Sequence, residues 1–332
     1  MSQQARAKVI RVAAALCLAG VAAVPLLSRS GYLASVGSQI GIHAIIVVGL
    51  GLLTGYAGQV SLGHAAFYAL GAYATAILTT RTAAPPLLAM IVGIVVAAFV
   101  AAVLGAPALR LRGHYLAMFT LGLGIVAQIA LEQAKGWTNG FDGITGVPPF
   151  RLGPLVCNTD ARAYGLIVVV LAGAIAVARN LVHSRVGRAL RALHESEEAA
   201  SACGVDVARA KLEVFVLSAV MAAVAGSLYA HTTGFVSPDP FGFRFSVQLL
   251  VMVVVGGSLS VWGPLAGAAL FTVLAQFLQG AGEHVRYVAD LDTVLFGAVL
   301  VIVVIFCEKG LASVRWTKWL LPGKPEAADE TA

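Results

Sequence analysis

The stretch "GYAGQVSLGHAAFYALGAY" (Gly55–Tyr73) decides how the fold is understood, because it interrupts a long apolar region. It combines helix-weakening glycines with the uncharged polar residues Gln59, Ser61 and His64. The whole chain is 59% hydrophobic and only 11% charged, whereas soluble proteins contain about 25% charged residues. The composition predicts a membrane protein in which this stretch breaks the regular helical pattern.

Apolar segments long enough to cross a bilayer recur along the chain, since a span needs about 20 mostly apolar residues. We predict ten spans, at 9–27, 33–54, 60–80, 85–108, 114–134, 163–183, 211–231, 245–262, 264–281 and 288–307. The predicted fold class is therefore an all-α, polytopic transmembrane helical bundle. We expect one transmembrane domain over 1–332, with a long external loop at 135–162 and a long cytoplasmic loop at 184–210. The external loop is rich in turn-forming residues and is expected to be irregular.

Basic residues are distributed unevenly between the predicted loops. With the N-terminus inside, 14 of the 22 Lys and Arg residues fall on the cytoplasmic side and seven on the opposite side. This asymmetry follows the positive-inside rule and predicts that both termini are cytoplasmic. It also accounts for the net charge of +6 without a nucleic-acid partner, because the basic residues lie between apolar runs rather than on one face.

The chain lacks the sequence signatures of several functional classes. It has no G-x-x-x-x-G-K-[ST] motif that could cradle phosphates, so it is not expected to be an ATPase. The carboxylates inside predicted spans, such as Glu132 and Glu213, lie near the span ends, which argues against ion-driven transport. The four cysteines show no CxxC spacing, and no G-x-S-x-G motif is present. We therefore expect neither a metal site nor enzymatic activity.

The predicted cytoplasmic loop contains "SRVGRALRALHESEEAASACGVDVARA" (184–210), which has no proline and many helix formers. Apolar residues at helical spacing form one stripe, made of Val186, Leu190 and Leu193. A charged stripe runs beside it, made of Arg188, Arg191, Glu195 and Glu198. Two interpretations remain open, namely an amphipathic helix on lipid headgroups or a helix that docks on a protein partner. The acidic residues favour the protein partner.

Four segments carry a family resemblance: Gly55–Tyr73, "PALRLRGHYLAMFTLG" (Pro107–Gly122), Ser184–His231 and "VVVGGSLSVWGPLAGAAL" (Val253–Leu270). They resemble the permease subunits of bacterial branched-chain amino acid ABC importers, specifically the M-type subunit, over roughly 38–312. In that family a cytoplasmic loop with an "EAA…G" signature docks on the ATPase. The corresponding residues here are Glu198, Ala199, Ala200 and Gly204.

The resemblance implies an inner-membrane heterodimer with a second related permease, two cytoplasmic ATPases and a periplasmic binding protein. ATP and Mg would be used by the ATPases, and this chain would bind no cofactor. The implied ATPase-coupling residues are Arg188, Arg191, Glu195, Glu198, Ala199, Ala200 and Gly204. Small side chains at 199 and 200 would allow close approach to an ATPase cleft. Gly204 would end the helix in a left-handed conformation, which an ordinary C-cap also explains.

The resemblance leaves the substrate open. Branched-chain amino acids are the first expectation, and urea, amides or other small metabolites are alternatives within the same family. A passive channel or facilitator is a further alternative, although an elaborate internal helix would be superfluous in one.

The stretch from Gly55 to Tyr73 then has two interpretations. A helix end or re-entrant turn near the translocation path would be covered by protein or water. It would present four residues to a zwitterion, namely Tyr56, Gln59, Ser61 and His64. Alternatively, Gly51 and Gly55 form a GxxxG packing seam followed by a short internal turn. His64 itself is expected to be an interhelical histidine rather than a proton carrier, because no carboxylate is near it in sequence.

Overall fold

The computed structural model describes residues 31–108, 114–152, 155–258 and 260–282. Eleven α-helices occur in these residues: α1 (Gly31–Gly51), α2 (His64–Arg81), α3 (Pro86–Ala108), α4 (His114–Gln133), α5 (Lys135–Thr138), α6 (Asp160–His183), α7 (Arg185–Glu195), α8 (Glu197–Ala202), α9 (Val207–Thr233), α10 (Phe243–Gly256) and α11 (Gly263–Gly282). Four two-residue strands accompany them: β1 (Ile144–Thr145), β2 (Arg151–Leu152), β3 (Leu155–Val156) and β4 (Phe235–Val236).

A helix lies at each of the second to the ninth predicted spans, and these helices are α1, α2, α3, α4, α6, α9, α10 and α11. Five helices among the described residues are long and apolar enough to cross a membrane, and these are α1 with the turn after it, α3, α4, α6 and α9. The helical membrane fold is thus confirmed. The predicted spans at 9–27 and 288–307 lie outside the described residues, so the total of ten stays a prediction.

Helices α2 and α9 form the centre of the bundle. A Cβ atom at Gly71 would overlap the carbonyl oxygen of Ala223, and one at Gly226 would overlap the carbonyl oxygen of Tyr68. The two backbones therefore lie in direct contact, as small residues permit between membrane helices. Further along the pair, the Thr75 hydroxyl donates a 2.8 Å hydrogen bond to the Ser227 hydroxyl. The hydrogen-bonded pairs His64–Ser218 and Thr75–Ser227 run in the same sequence order on both helices, so α2 and α9 are parallel.

Helix α1 packs between this centre and α11. His43 Nδ1 lies 2.9 Å from Thr272 Oγ1, and Gln276 donates a 2.7 Å hydrogen bond to Gln39. The order of these contacts makes α1 and α11 antiparallel. Helix α1 continues into a single π-helical turn, Leu52–Tyr56, after which the chain is irregular until α2 begins.

The connections between helices lie at two opposite ends of the bundle. Helix α6, with 24 residues, runs from one end to the other, so the two ends are about 36 Å apart. One end holds the segment between α4 and α6. Our expectation that this segment is irregular is wrong in part, since it contains α5 and the three strands β1, β2 and β3. One antiparallel pair joins β1 to β4 in the α9–α10 connection, and another joins β2 to β3. Glycines in left-handed conformations, such as Gly143 and Gly146, make these tight turns possible.

Candidate functional site

The opposite end of the bundle carries α7 and α8 outside the helical core. The Ser184 hydroxyl accepts a hydrogen bond from the Gly187 amide and caps the start of α7. Gly187 lies directly against the last turn of α6, where a Cβ atom would overlap the carbonyl oxygens of Leu181 and Val182. Leu190 and Leu193 are buried, as the apolar stripe predicts. Helix α7 is therefore held on the bundle by one face.

The predicted helix over Gly187 to Gly204 is interrupted, which corrects the expectation of one continuous helix. Ser196 has an extended backbone (φ −158°, ψ 118°) and separates α7 from α8. Its hydroxyl accepts a hydrogen bond from the Ala199 amide, so Ser196 ends one helix and caps the next. Glu197 and Glu198 then occupy the first turn of α8, where the helix dipole favours negative charge.

The charged stripe of the α7–α8 unit faces away from the bundle. All four of its members are exposed, namely Arg188, Arg191, Glu195 and Glu198. Ala199 is exposed as well, but only 2% of Ala200 is exposed, because it packs into the core of this chain. The expectation that both alanines approach a partner is therefore corrected for Ala200. Gly204 is exposed and has a left-handed conformation (φ +80°), as predicted for the residue that ends the helix.

The α7–α8 unit touches the segment between α1 and α2. Gly58 in that segment has a positive φ of +64°, and a Cβ atom there would lie 3.0 Å from His194 Nδ1 on α7. Tyr56 ends the π-helical turn just before this segment and is 7% exposed. The stretch singled out from the sequence is thus in direct contact with the loop that carries the predicted coupling residues.

His64 forms a polar centre inside the bundle at the start of α2. Its Nδ1 atom lies 2.9 Å from the Ser61 hydroxyl, and its Nε2 atom lies 2.5 Å from the Ser218 hydroxyl on α9. The ring is fully enclosed, and the edges of Phe67 and Phe215 surround it. His64 therefore connects helices, as expected for an interhelical histidine.

The backbone around His64 is held by side chains from other helices. The Leu62 amide donates to the Thr120 hydroxyl on α4 at 3.0 Å, and the Ala65 amide donates to the Ser246 hydroxyl on α10 at 3.2 Å. Buried amides need such partners, particularly in lipid. Four helices, α2, α4, α9 and α10, therefore meet at the start of α2.

Both interpretations of the Gly55–Tyr73 stretch describe part of what is seen. The packing seam is present, because a Cβ atom at Gly55 would overlap the Ser258 carbonyl oxygen and one at Gly51 would lie 2.8 Å from Pro264. The break is present too, because residues 58–63 are not helical. Gln59 is 4% exposed, and neither atom of its side-chain amide has a partner among the described residues.

Three residues of this region escaped sequence reasoning. They are His194, Ser218 and Lys211, the last of which pairs with Glu197 of α8. Lys211 could have been singled out, because a lysine at the edge of a predicted span requires an anionic partner. No group of three His, Cys, Asp or Glu residues in the described part of the chain is arranged to hold a metal ion.

Comparison with known proteins adds a family to this geometry. A family model described as "Branched-chain amino acid transport system / permease component" matches residues 32–304. The high-affinity branched-chain amino acid transport system permease protein LivM of Escherichia coli is 32% identical over 295 residues, which cover 81% of this chain and 67% of LivM. LivH, the permease protein of the same description from Escherichia coli, is 27% identical over 293 residues, 81% of this chain and 90% of LivH.

A more distant relative is named for a different transport substrate, fructose. The fructose import permease protein FruG of Bifidobacterium longum is 25% identical over 186 residues, 54% of this chain and 53% of FruG. No solved structure has significant similarity to the chain. The match to the family model covers most of the sequence, and the helical architecture agrees with it. The chain is a multi-pass membrane protein that belongs to the branched-chain amino acid transport system permease family.

Proposed function

We propose that the chain is one permease subunit of an ATP-driven importer for branched-chain or chemically similar amino acids. The observation that carries this proposal is the α7–α8 unit. It packs on the bundle through one face, presents two basic and then two acidic side chains on the other, and contacts the irregular segment that leads to His64. Such a unit suits a site where a second protein acts on the bundle. It has no evident use in a passive channel.

The partners follow from the same reasoning. Because the sequence has no phosphate-binding loop, the energy would come from two separate ATPases that dock on α7 and α8 and that bind ATP and Mg. Similarity to both LivM and LivH supports a heterodimer with a second related permease. A periplasmic binding protein would deliver substrate at the end that carries β1 and β4. The chain itself then catalyses no reaction.

The segment 57–64 is our candidate for part of the translocation path. Gln59 offers a buried donor and acceptor, and Ser61 and His64 offer further uncharged polar groups that suit a zwitterion. These side chains are buried here, so the path would open when the α7–α8 unit moves. Tyr56 lies beside this segment at the end of the π-helical turn.

The orientation is tested by labelling in sealed bacterial cells. The count of basic residues supports an orientation in which the α7–α8 end and both termini are cytoplasmic. In a variant whose four native cysteines are replaced by serine, Thr145→Cys should react with an impermeant thiol reagent and Glu195→Cys should not. Labelling of the second variant in intact cells would overturn the orientation.

The transport function is tested by reconstitution of the complete complex in proteoliposomes. Uptake of leucine should require ATP, the binding protein and the ATPases, and this chain alone should accumulate nothing. Competition by fructose and urea distinguishes the alternative cargoes. Leucine accumulation by the chain alone, against a gradient and without ATP, would refute the importer.

The docking role of α8 is tested in the same complex. Ala199→Trp should weaken ATPase binding by about 1 to 3 kcal/mol, because packed interfaces tolerate added volume poorly. Ala208→Trp is the matched control, since Ala208 is also exposed but lies on α9. Glu198→Lys should act like Ala199→Trp if this carboxylate faces a basic site on the ATPase. If Ala199→Trp binds the ATPase as tightly as Ala208→Trp does, α8 is not the docking element.

A further inference from the structure

An ion pair joins α8 to α9 at the edge of the bundle. The Lys211 ammonium group on α9 lies 2.5 Å from Glu197 Oε1 on α8, and Lys211 as a whole is only 4% exposed. The Glu197 side chain is about one third exposed, so the pair is shielded on the lysine side and open on the other. An enclosed ammonium group is costly without an anionic partner, and Glu197 supplies that partner.

This contact is important for the position of α8 because the helix is short. It has six residues, and its start is separated from α7 by the extended Ser196. Apart from Glu197, only Ala200 of its six side chains is turned into the bundle, and the other four residues are exposed. The Glu197–Lys211 pair and the buried Ala200 side chain therefore both hold α8 against the transmembrane part.

Helix α9 continues from this contact through the whole bundle. Eleven residues above the α9 start, Ser218 hydrogen-bonds with His64, and further along Ser227 accepts the hydrogen bond from Thr75. A helix is stiff over such a distance. A displacement of α8 that moves Lys211 therefore shifts the partner of His64.

A second connection reaches His64 from α7. His194 lies against Gly58, and residues 59–63 lead from Gly58 to His64 along the chain. The α7–α8 unit thus reaches the His64 centre by two routes, through the packing of α7 against the segment before α2 and through the ion pair from α8. Because the ion pair is an attractive contact, α9 can follow α8 when α8 moves away from it as well as toward it.

We propose that the Glu197–Lys211 ion pair is a positioning contact that transmits movement of the α7–α8 unit to α9 and so to the His64 centre. The inference rests on the proposed function, because it assumes that an ATPase moves this unit. Glu197 and Lys211 touch neither nucleotide nor substrate in this role. They set how much movement of α8 reaches the path.

The chain contains a matched control pair. Arg209 and Glu213 form an ion pair of 2.8 Å, but both residues are on α9, and their side chains are 77% and 47% exposed. Removal of this pair leaves α8 and α9 connected as before. Glu213→Gln therefore tests the loss of a nearby charge without the loss of the contact between helices.

The experiment compares Glu197→Gln, Lys211→Met, the charge exchange Glu197→Lys with Lys211→Glu, and Glu213→Gln in the reconstituted complex. Basal ATP hydrolysis, uptake and co-purification of the ATPase are measured for each. We expect both single variants to hydrolyse ATP at the basal rate of the wild type. The amount of substrate transported per ATP should fall by about fivefold or more, since residues in contact have coupling energies of this size. The exchanged variant should recover most of that ratio, and Glu213→Gln should not change it.

The result separates this inference from the proposed function. Absence of ATP-dependent uptake in the wild-type complex would refute the function itself. Normal wild-type uptake together with an unchanged ratio in Glu197→Gln, or an equal fall in Glu213→Gln, would refute the ion pair alone. If neither single variant assembles, the exchanged variant decides, because restored uptake supports the contact and continued failure overturns it.

Discussion

Of helices α1 and α3, the less apolar one is the more deeply buried. In the most apolar stretch of α1, 72% of the residues are buried inside the protein, whereas in that of α3 only 22% are buried, although α3 is the more apolar of the two. Helix α3 exposes large side chains such as Leu88, Val95 and Phe99. In water this arrangement would be reversed. This is the arrangement expected of a bundle surrounded by lipid, whose interior is selected for close contact and polar pairing rather than for hydrophobicity.

The polar groups of the interior agree with this difference. The pairs Thr75–Ser227, His43–Thr272 and His64–Ser218 each connect two helices. Hydrogen bonds of this type contribute modestly in membranes, about 0.6 kcal/mol on average, but they fix which helices meet. The outer surface of α3 would need no such specificity against lipid tails.

The largest expected difference between inside and outside concerns phenylalanine. Phe67 is 1% exposed and packs edge-to-face against Phe215, so Phe67→Ala should destabilise the protein by about 3 to 5 kcal/mol. Phe99→Ala on α3 should have an effect below about 0.5 kcal/mol, because lipid fills the space. Thermal unfolding in detergent measures both. Similar losses would show that the outer face of α3 is covered by protein.

A smaller effect on stability is expected for the replacement of glycine by alanine, and it should be destabilising at one position and stabilising at another. Gly226→Ala places a methyl group against the backbone of Tyr68 and should cost about 1 to 3 kcal/mol. Gly173 on α6 has no atom within 4 Å of an added Cβ, so Gly173→Ala should stabilise α6 by up to about 1 kcal/mol. The same unfolding assay applies. Equal destabilisation by both would contradict the backbone contact between α2 and α9.

The smallest expected effect concerns the interior hydroxyl pair. Ser227→Ala leaves the buried Thr75 hydroxyl without its acceptor and should cost about 1 kcal/mol. Thr80→Ala is the control, since Thr80 is exposed and bonds only within its own helix, to the Ala76 carbonyl oxygen. A double variant of Thr75 and Ser227 to alanine should be more stable than the sum of the single losses predicts. Additive losses would show that the pair does not interact.

The sequence predicted the elements more fully than the contacts between them. The apolar runs predicted spans whose positions agree with eight helices, and the residues at 184–204 predicted a partly exposed amphipathic unit. The break at Ser196 was missed, although a serine followed by Glu197 and Glu198 is a signal for the start of a helix. The pairing of β1, in the loop before α6, was missed because its partner β4 is some 90 residues away in sequence.

The sequence by itself determined that this protein spans a membrane, roughly where its helices lie, that α7 is amphipathic and that Gly204 ends α8, because all of these depend on local composition and periodicity. Only the tertiary structure decided that His64 meets Ser218, that Lys211 pairs with Glu197 and that Ala200 faces inward while Ala199 does not. The physical reason is that these contacts join residues from different helices. Which side chains meet there depends on how closely the backbones approach and at what register, and no periodicity within one helix carries that information.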